Sequence, residues 1–290
     1  MIAFRPRRVN ILSIQSRVAY GHVGNASAVF PLQRLGAEVW AIDTVQFSNH
    51  PGYGAWRGQV FPAALVRELV AGIAERGVLP GCDAVLSGYL GDAETGEAIL
   101  DAVAQVKAAN PGALWCCDPV FGDTGRGVYV RAGVPEFFRD RALPAADIAT
   151  PNQFELEWLT GAPIGTLAAA KAAVAALQAR GPRCVLLTSL RVADTPDGAI
   201  EMLAAEGGRF WRLRTPLLPI AVNGAGDAIA ALFLFHRLRS GDAAAALAAA
   251  GSSIHGVLRQ TAAAGSREVL IVAAQEEFVA PSRVFTAEAC

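Results

Sequence analysis

Asn223-Gly224-Ala225-Gly226-Asp227 runs straight into Ala228-Ile229-Ala230-Ala231-Leu232-Phe233-Leu234-Phe235. The second half is an apolar run that reads as a buried helix, so the first half is the turn that opens it. Gly224 and Gly226 carry no Cβ, which lets the backbone bend sharply and lets a bulky anion approach its N–H groups. The first N–H groups of a helix lack internal partners and lie at the positive end of its dipole. Together these features make an anion site, commonly filled by phosphate. Asp227 would stand beside that phosphate, able to take a proton from an attacking hydroxyl. The same residues also read as an ordinary loop–helix junction with Asp227 as a cap.

Upstream of this turn, short apolar runs at 10–16, 38–46, 84–89, 114–119, 147–151 and 184–189 alternate with longer amphipathic ones. The latter lie at 26–35, 63–76, 94–109, 133–139, 153–160 and 167–180. Strand and helix alternating at this spacing predict an α/β fold, with a parallel sheet covered by helices on both faces. The segment 201–217 breaks the rhythm and predicts a hairpin turning at Glu206-Gly207-Gly208. Two long helices are expected after it, at 224–239 and 242–258. No repeat and no Pro-, Gly- or Ser-rich linker interrupts the chain, so 1–290 is read as a single domain.

The chain is 53% hydrophobic and 18% charged, enough to build a sizeable core. A formal net charge of −1 gives no electrostatic case for nucleic acid or an anionic membrane surface. No apolar stretch reaches membrane-spanning length, and 9–14 is too short and polar for a signal peptide. The five cysteines (Cys82, Cys116, Cys117, Cys184, Cys290) show no zinc-site spacing. Buried thiols in a reducing compartment account for them, and a cytoplasmic protein is expected. Lysine occurs only at Lys107 and Lys171, which limits any mechanism that needs one in the site.

In open parallel sheets, ligands bind beyond the carboxyl ends of the strands. Those ends carry Gln15-Ser16, the stretch 46–51, Ser87-Gly88-Tyr89, Cys117-Asp118-Pro119, Thr150-Pro151-Asn152 and Thr188-Ser189. Asp118 and Glu155, on neighbouring strand ends, have the oxygen chemistry that Mg²⁺ prefers. Each also has a structural reading, as a turn cap and as a first-turn helix carboxylate. Beside the Gly-Ala-Gly-Asp turn, the pair points to phosphoryl transfer. The loop Val45-Gln46-Phe47-Ser48-Asn49-His50-Pro51-Gly52-Tyr53-Gly54 either closes over a flat ring or simply covers the sheet. Thr124-Gly125-Arg126-Gly127 is a flexible turn that brings Arg126 near a phosphate or leaves it in solvent. Gly-x-x-x-x-Gly-Lys-Ser/Thr and Gly-x-Ser-x-Gly are both absent.

These residues, with Ile11 to Ser16, Tyr20 to Asn25 and Asp147-Ile148-Ala149-Thr150-Pro151-Asn152-Gln153-Phe154-Glu155, resemble the ribokinase-like small-molecule kinases over nearly the whole chain. The run 45–50 resembles their pyridoxal branch. The resemblance implies a three-layer ribokinase-like fold, a homodimer, ATP as phosphate donor with Mg²⁺ and often K⁺, and pyridoxal as acceptor. Ser16 would hold the pyridine ring, with Val45, Pro51, Gly52 and Tyr89 lining the acceptor pocket. Asp118 and Glu155 would organise the metal–phosphate end. Tyr129, Thr150, Asn152, Thr188 and Ser189 would meet the nucleotide. Gly224, Ala225 and Gly226 would form the anion hole, and Asp227 would be the base, although a helix N-terminus is expected to lower its pKa.

Two positions depart from the family's pattern. Many members have Thr where Pro51 stands, and Pro51 offers neither hydroxyl nor N–H. Some bacterial members have Lys in place of Thr188. A kinase of hydroxymethylpyrimidine or a sugar, and a non-catalytic vitamin B6 binder, therefore stay open at this point.

Overall fold

A computed structural model describes residues 8–290. Its strands, in chain order, are β1 (Asn10–Val18), β2 (Glu38–Phe47), β3 (Gly58–Val60), β4 (Ala84–Ser87), β5 (Leu114–Cys117), β6 (Gly122–Asp123), β7 (Gly127–Val128), β8 (Ile148–Ala149), β9 (Cys184–Leu190), β10 (Ala199–Glu206), β11 (Arg209–Pro216) and β12 (Glu288–Ala289). The helices are α1 (Asn25–Arg34), α2 (Ala63–Ala74), α3 (Ala93–Ala109), α4 (Val134–Phe137), α5 (Leu143–Ala145), α6 (Gln153–Thr160), α7 (Leu167–Gln178), α8 (Ala225–Ser240), α9 (Ala243–Ala263) and α10 (Glu276–Val279).

Ten strands form one sheet in the order β12-β11-β10-β9-β8-β5-β4-β1-β2-β3. The run from β9 to β2 is parallel. Antiparallel strands close both edges, β10 to β12 on one side and β3 on the other. Successive side chains of β1 face opposite ways. Ile11 packs with α1, α8 and α9, while Leu12 and Ile14 pack with α2 and α3. In β9, Leu186 joins the first core, and Val185 and Leu187 join the second. Burial on both faces is why these strands carry apolar residues on both faces rather than on alternate positions alone.

The helix that opens at the Gly-Ala-Gly-Asp turn is apolar on every side because every side is packed. All residues from Ala228 to Phe235 in α8 are buried, held by the sheet, α1 and α9. Truncating fully buried Phe233 to Ala would cost about 3–5 kcal/mol. That packing fixes the position of the helix N-terminus.

Several boundaries differ from the sequence expectation. The ladder of β5 stops at Cys117 and that of β8 at Ala149, since Pro119 and Pro151 have no N–H to extend it. The helix α9 runs on to Ala263, capped at its start by Asp242, which accepts from the Ala245 N–H at 2.7 Å. The short strands β3, β6, β7 and β12 and a π-helical turn at Phe138–Ala142 have no counterpart in the sequence reading.

Candidate active site

The carboxyl ends of the parallel strands converge on one cavity of about 610 Å³. Ser16 comes from β1, Val45 from β2, and Thr188 and Ser189 from β9. Asp118 and Thr150 directly follow β5 and β8, and Tyr89 lies two residues past β4. Pro51 and Gly52 reach it from the loop after β2, and Tyr129 from just beyond β7. Asn152 and Glu155 come from the start of α6, and Gly224 to Asp227 from the start of α8. Every residue singled out in the sequence as a candidate therefore lines the same space.

The turn at α8 is locked from outside. Gly224 is left-handed (φ 88°), and a Cβ there would strike the His22 carbonyl oxygen. The Ser27 hydroxyl donates to the Gly224 carbonyl at 2.7 Å. Gly24, left-handed and pressed against Ser16, donates its N–H to the Asp227 carboxylate. The loop before α1 thus fixes Ser16 and Asp227 together. At Gly226 the surroundings differ: a Cβ would meet no atom within 4 Å.

Burial pushes the Asp227 carboxyl up to about 6, outweighing the N–H groups of Gly24 and of Asp227 itself, which pull it down. The lowered value expected at a helix N-terminus is overturned. Desolvation by the surrounding protein exceeds the attraction of the helix end.

Asp118 is buried, and its carboxyl lies well above the ordinary range through burial and the neighbouring charges of Glu155 and Asp227. Its Oδ1 accepts from the Thr150 hydroxyl at 2.8 Å, while its Oδ2 has no partner. Glu155 is spent differently. One oxygen accepts from the Phe121 and Gly122 N–H groups and the other from the Asn152 N–H at 2.8 Å, closing a capping box on α6. Burial still lifts its carboxyl to about 8. Among the described residues, no three His, Cys, Asp or Glu side chains group as a metal cage. A buried acid with an orphan oxygen, among other acids, nonetheless fits a cation that is held partly by substrate phosphates.

Ser189 has φ 53°, the one non-glycine positive φ among the described residues, and it sits at the cavity. Asp123, Arg126, His50 and Asn223 line the cavity as well. Arg126 Nη1 donates to Asn223 Oδ1 at 3.3 Å, which takes the hairpin of β6 and β7 across to the helix turn. Asp123 escaped the sequence reading because a two-residue strand carries no periodicity. The glycines at 122, 125 and 127 were its only signal.

Residues 59–271 match the family model described as phosphomethylpyrimidine kinase, which makes the molecule a small-molecule kinase of the ribokinase-like class. The chain is 66% identical to the pyridoxal kinase PdxY of Granulibacter bethesdensis, across 97% of this chain and 100% of the relative. With the Deinococcus radiodurans pyridoxal kinase PdxY it shares 57%, covering 96% of each. The structure matches the Leishmania donovani pyridoxal kinase in complex with ADP and ginkgotoxin at a TM-score of 0.90 and 30% identity, covering 97% of this chain and 99% of that one. The chain belongs to the pyridoxal kinase family.

Proposed function

We infer that the protein transfers the γ-phosphoryl group of ATP to the 5′-hydroxyl of pyridoxal, giving ADP and pyridoxal 5′-phosphate. The observation that carries this reading is the placement of Asp227 at the glycine-lined N-terminus of α8, in one cavity with Ser16, Tyr89 and Asp118, where burial raises its carboxyl to about 6. A general base works best with a pKa close to the working pH. Asp227 accepts the hydroxyl proton as the oxygen attacks. The free N–H groups of the turn meet the charge on the equatorial oxygens of the transferring group. Because that transition state is loose, the task of the chain is mainly to position and to compensate charge.

Ser16 and Tyr89, with Val45, Pro51 and Gly52, would hold the acceptor ring. Tyr129, Thr150, Asn152, Thr188 and Ser189 would hold the nucleotide. Asp118 would hold Mg²⁺ through its free oxygen, with Glu155 adding its charge and shaping the 121–122 and 152 backbone. When bound, Mg²⁺ would offset charge on the leaving phosphate oxygens. A K⁺ requirement, a homodimer, a single kinase domain and a cytoplasmic location belong to the same proposal. No described helix is long and apolar enough to cross a membrane.

Hydroxymethylpyrimidine is the second acceptor to consider, favoured by the description of the matching family model and by Pro51. The base is tested with Asp227→Asn. We expect kcat to fall by about 10²–10⁴-fold with little change in folding. A near-normal kcat would remove Asp227 from that role.

A further inference from the structure

Glu268 lies outside the cavity, far along the chain from every residue that lines it, between α9 and α10. Its two oxygens nevertheless reach both acceptor-end loops. Oε1 accepts the Tyr53 hydroxyl at 2.5 Å, and Oε2 accepts the His22 N–H at 3.2 Å. Tyr53 directly follows Pro51 and Gly52; His22 directly precedes Val23 and Gly24. Those neighbours line the cavity or, for Gly24, bond to Asp227.

The contact is built on both sides. Gly21 is left-handed (φ 91°), and a Cβ there would run into the Glu268 carboxylate. The Arg267 guanidinium lies 4.7 Å from the centre of the Tyr53 ring, on which the Tyr20 ring packs edge-on at 6.1 Å. The platform beneath is firm. Val269 and Ile271 are fully buried, the Ser266 hydroxyl and the Glu268 backbone bond reciprocally, and the Leu270 N–H reaches Thr261 Oγ1 at 3.1 Å. The loop that is held is the softer partner, because Gly52 and Gly54 flank Tyr53 and Gly54 is itself left-handed (φ 90°).

We propose that Glu268 is a positioning residue for the acceptor: its carboxylate ties the Tyr20-to-Asn25 loop to the His50-to-Gly54 loop and so sets acceptor binding without touching the substrate. The inference rests on the kinase reading given above. It predicts a selective effect, because the nucleotide-side residues hang from β8, β9, α6 and the end of β7, whereas among the described residues the Glu268 carboxylate bonds only to Tyr53 and His22.

The test is steady-state kinetics with Mg-ATP and pyridoxal on Glu268→Ala, Glu268→Gln and Tyr53→Phe, beside amide exchange of the same proteins. Glu268→Ala should raise the acceptor KM about tenfold, the worth of a hydrogen bond to a charged group, with the ATP KM within about twofold of wild type. Tyr53→Phe should show a smaller rise in the same constant, and adding it to Glu268→Ala should cost nothing further. Glu268→Gln keeps an acceptor for the Tyr53 hydroxyl and should recover much of the loss. Exchange should speed up in residues 48–57 of Glu268→Ala and stay unchanged in β1, β4 and β9. Parallel rises in both KM values together with a lower Tm would overturn the proposal in favour of a purely structural role, as would an unchanged acceptor KM. If wild type does not phosphorylate pyridoxal, the kinase reading fails, while the exchange comparison still decides whether Glu268 holds the loop.

Discussion

Gly226→Ala separates the chemistry of the helix turn from its folding, because the two should move in opposite directions. Gly226 has an ordinary φ, stands in the first turn of α8, and would carry a Cβ into open space. Alanine is favoured over glycine in a helix and restricts the unfolded chain, together worth about 0.5–1 kcal/mol. In a chain of 290 residues that corresponds to a Tm rise of about 1–2 °C. The open space beside Gly226 is the cavity, so the methyl displaces an anion from the N–H groups of the turn. Losing a donor of this type costs about 10²–10³ in kcat. The assay is a thermal melt and an initial rate on one preparation. Gly224→Ala is the control, since its Cβ meets the His22 carbonyl and its φ is left-handed. That variant should lose stability by about 1–2 kcal/mol or more. A Gly226→Ala enzyme with wild-type kcat would refute the placement of the transferring phosphate at this turn.

Asp118→Asn keeps the acceptor for the Thr150 hydroxyl and removes a charge from a crowded acidic site. Its Tm in metal-free buffer should equal or exceed that of wild type, Mg²⁺ should no longer raise it, and turnover should fall by at least about 10²-fold. Asp227 and Glu155, at about 6 and about 8, both bind protons more tightly folded than unfolded. Their stabilising contribution is therefore complete below about pH 4 and is lost as pH rises through 6 and then 8. Melts of the unliganded protein across this window should show a decline that Mg²⁺ flattens, and Asp227→Asn should lack the part centred near pH 6. For Asp227→Asn itself, the kcat loss should come with an ATP KM within about twofold of wild type.

Most of the scaffold was legible because its signals are local. The apolar runs that became β1, β4 and β9 are buried on both faces, and Gly207 and Gly208 take the positive φ values that join Glu206 to Arg209 in a two-residue hairpin turn. The residues that line the cavity were legible for a related reason, since strand ends and helix starts mark where a parallel sheet presents its polar groups. What stayed hidden depends on contacts distant in sequence. The pKa of Asp227 follows from its enclosure by protein, which no local motif encodes. Glu268 sits in a stretch without periodicity, and its partners are 215 and 246 residues away. The strand β3 is three mostly exposed residues, formed because the end of β2 offers it a ladder.

The central claim is phosphoryl transfer to pyridoxal, with Asp227 as the base. Purified protein incubated with Mg-ATP, with and without K⁺, and with pyridoxal, pyridoxine or hydroxymethylpyrimidine in separate reactions, tests it by chromatography of the products. Wild type should give pyridoxal 5′-phosphate and ADP in equal amounts, and Asp227→Asn a rate lower by about 10²–10⁴-fold. Phosphorylated pyrimidine alone, no phosphorylated product at all, or equal rates from the two proteins would contradict the claim.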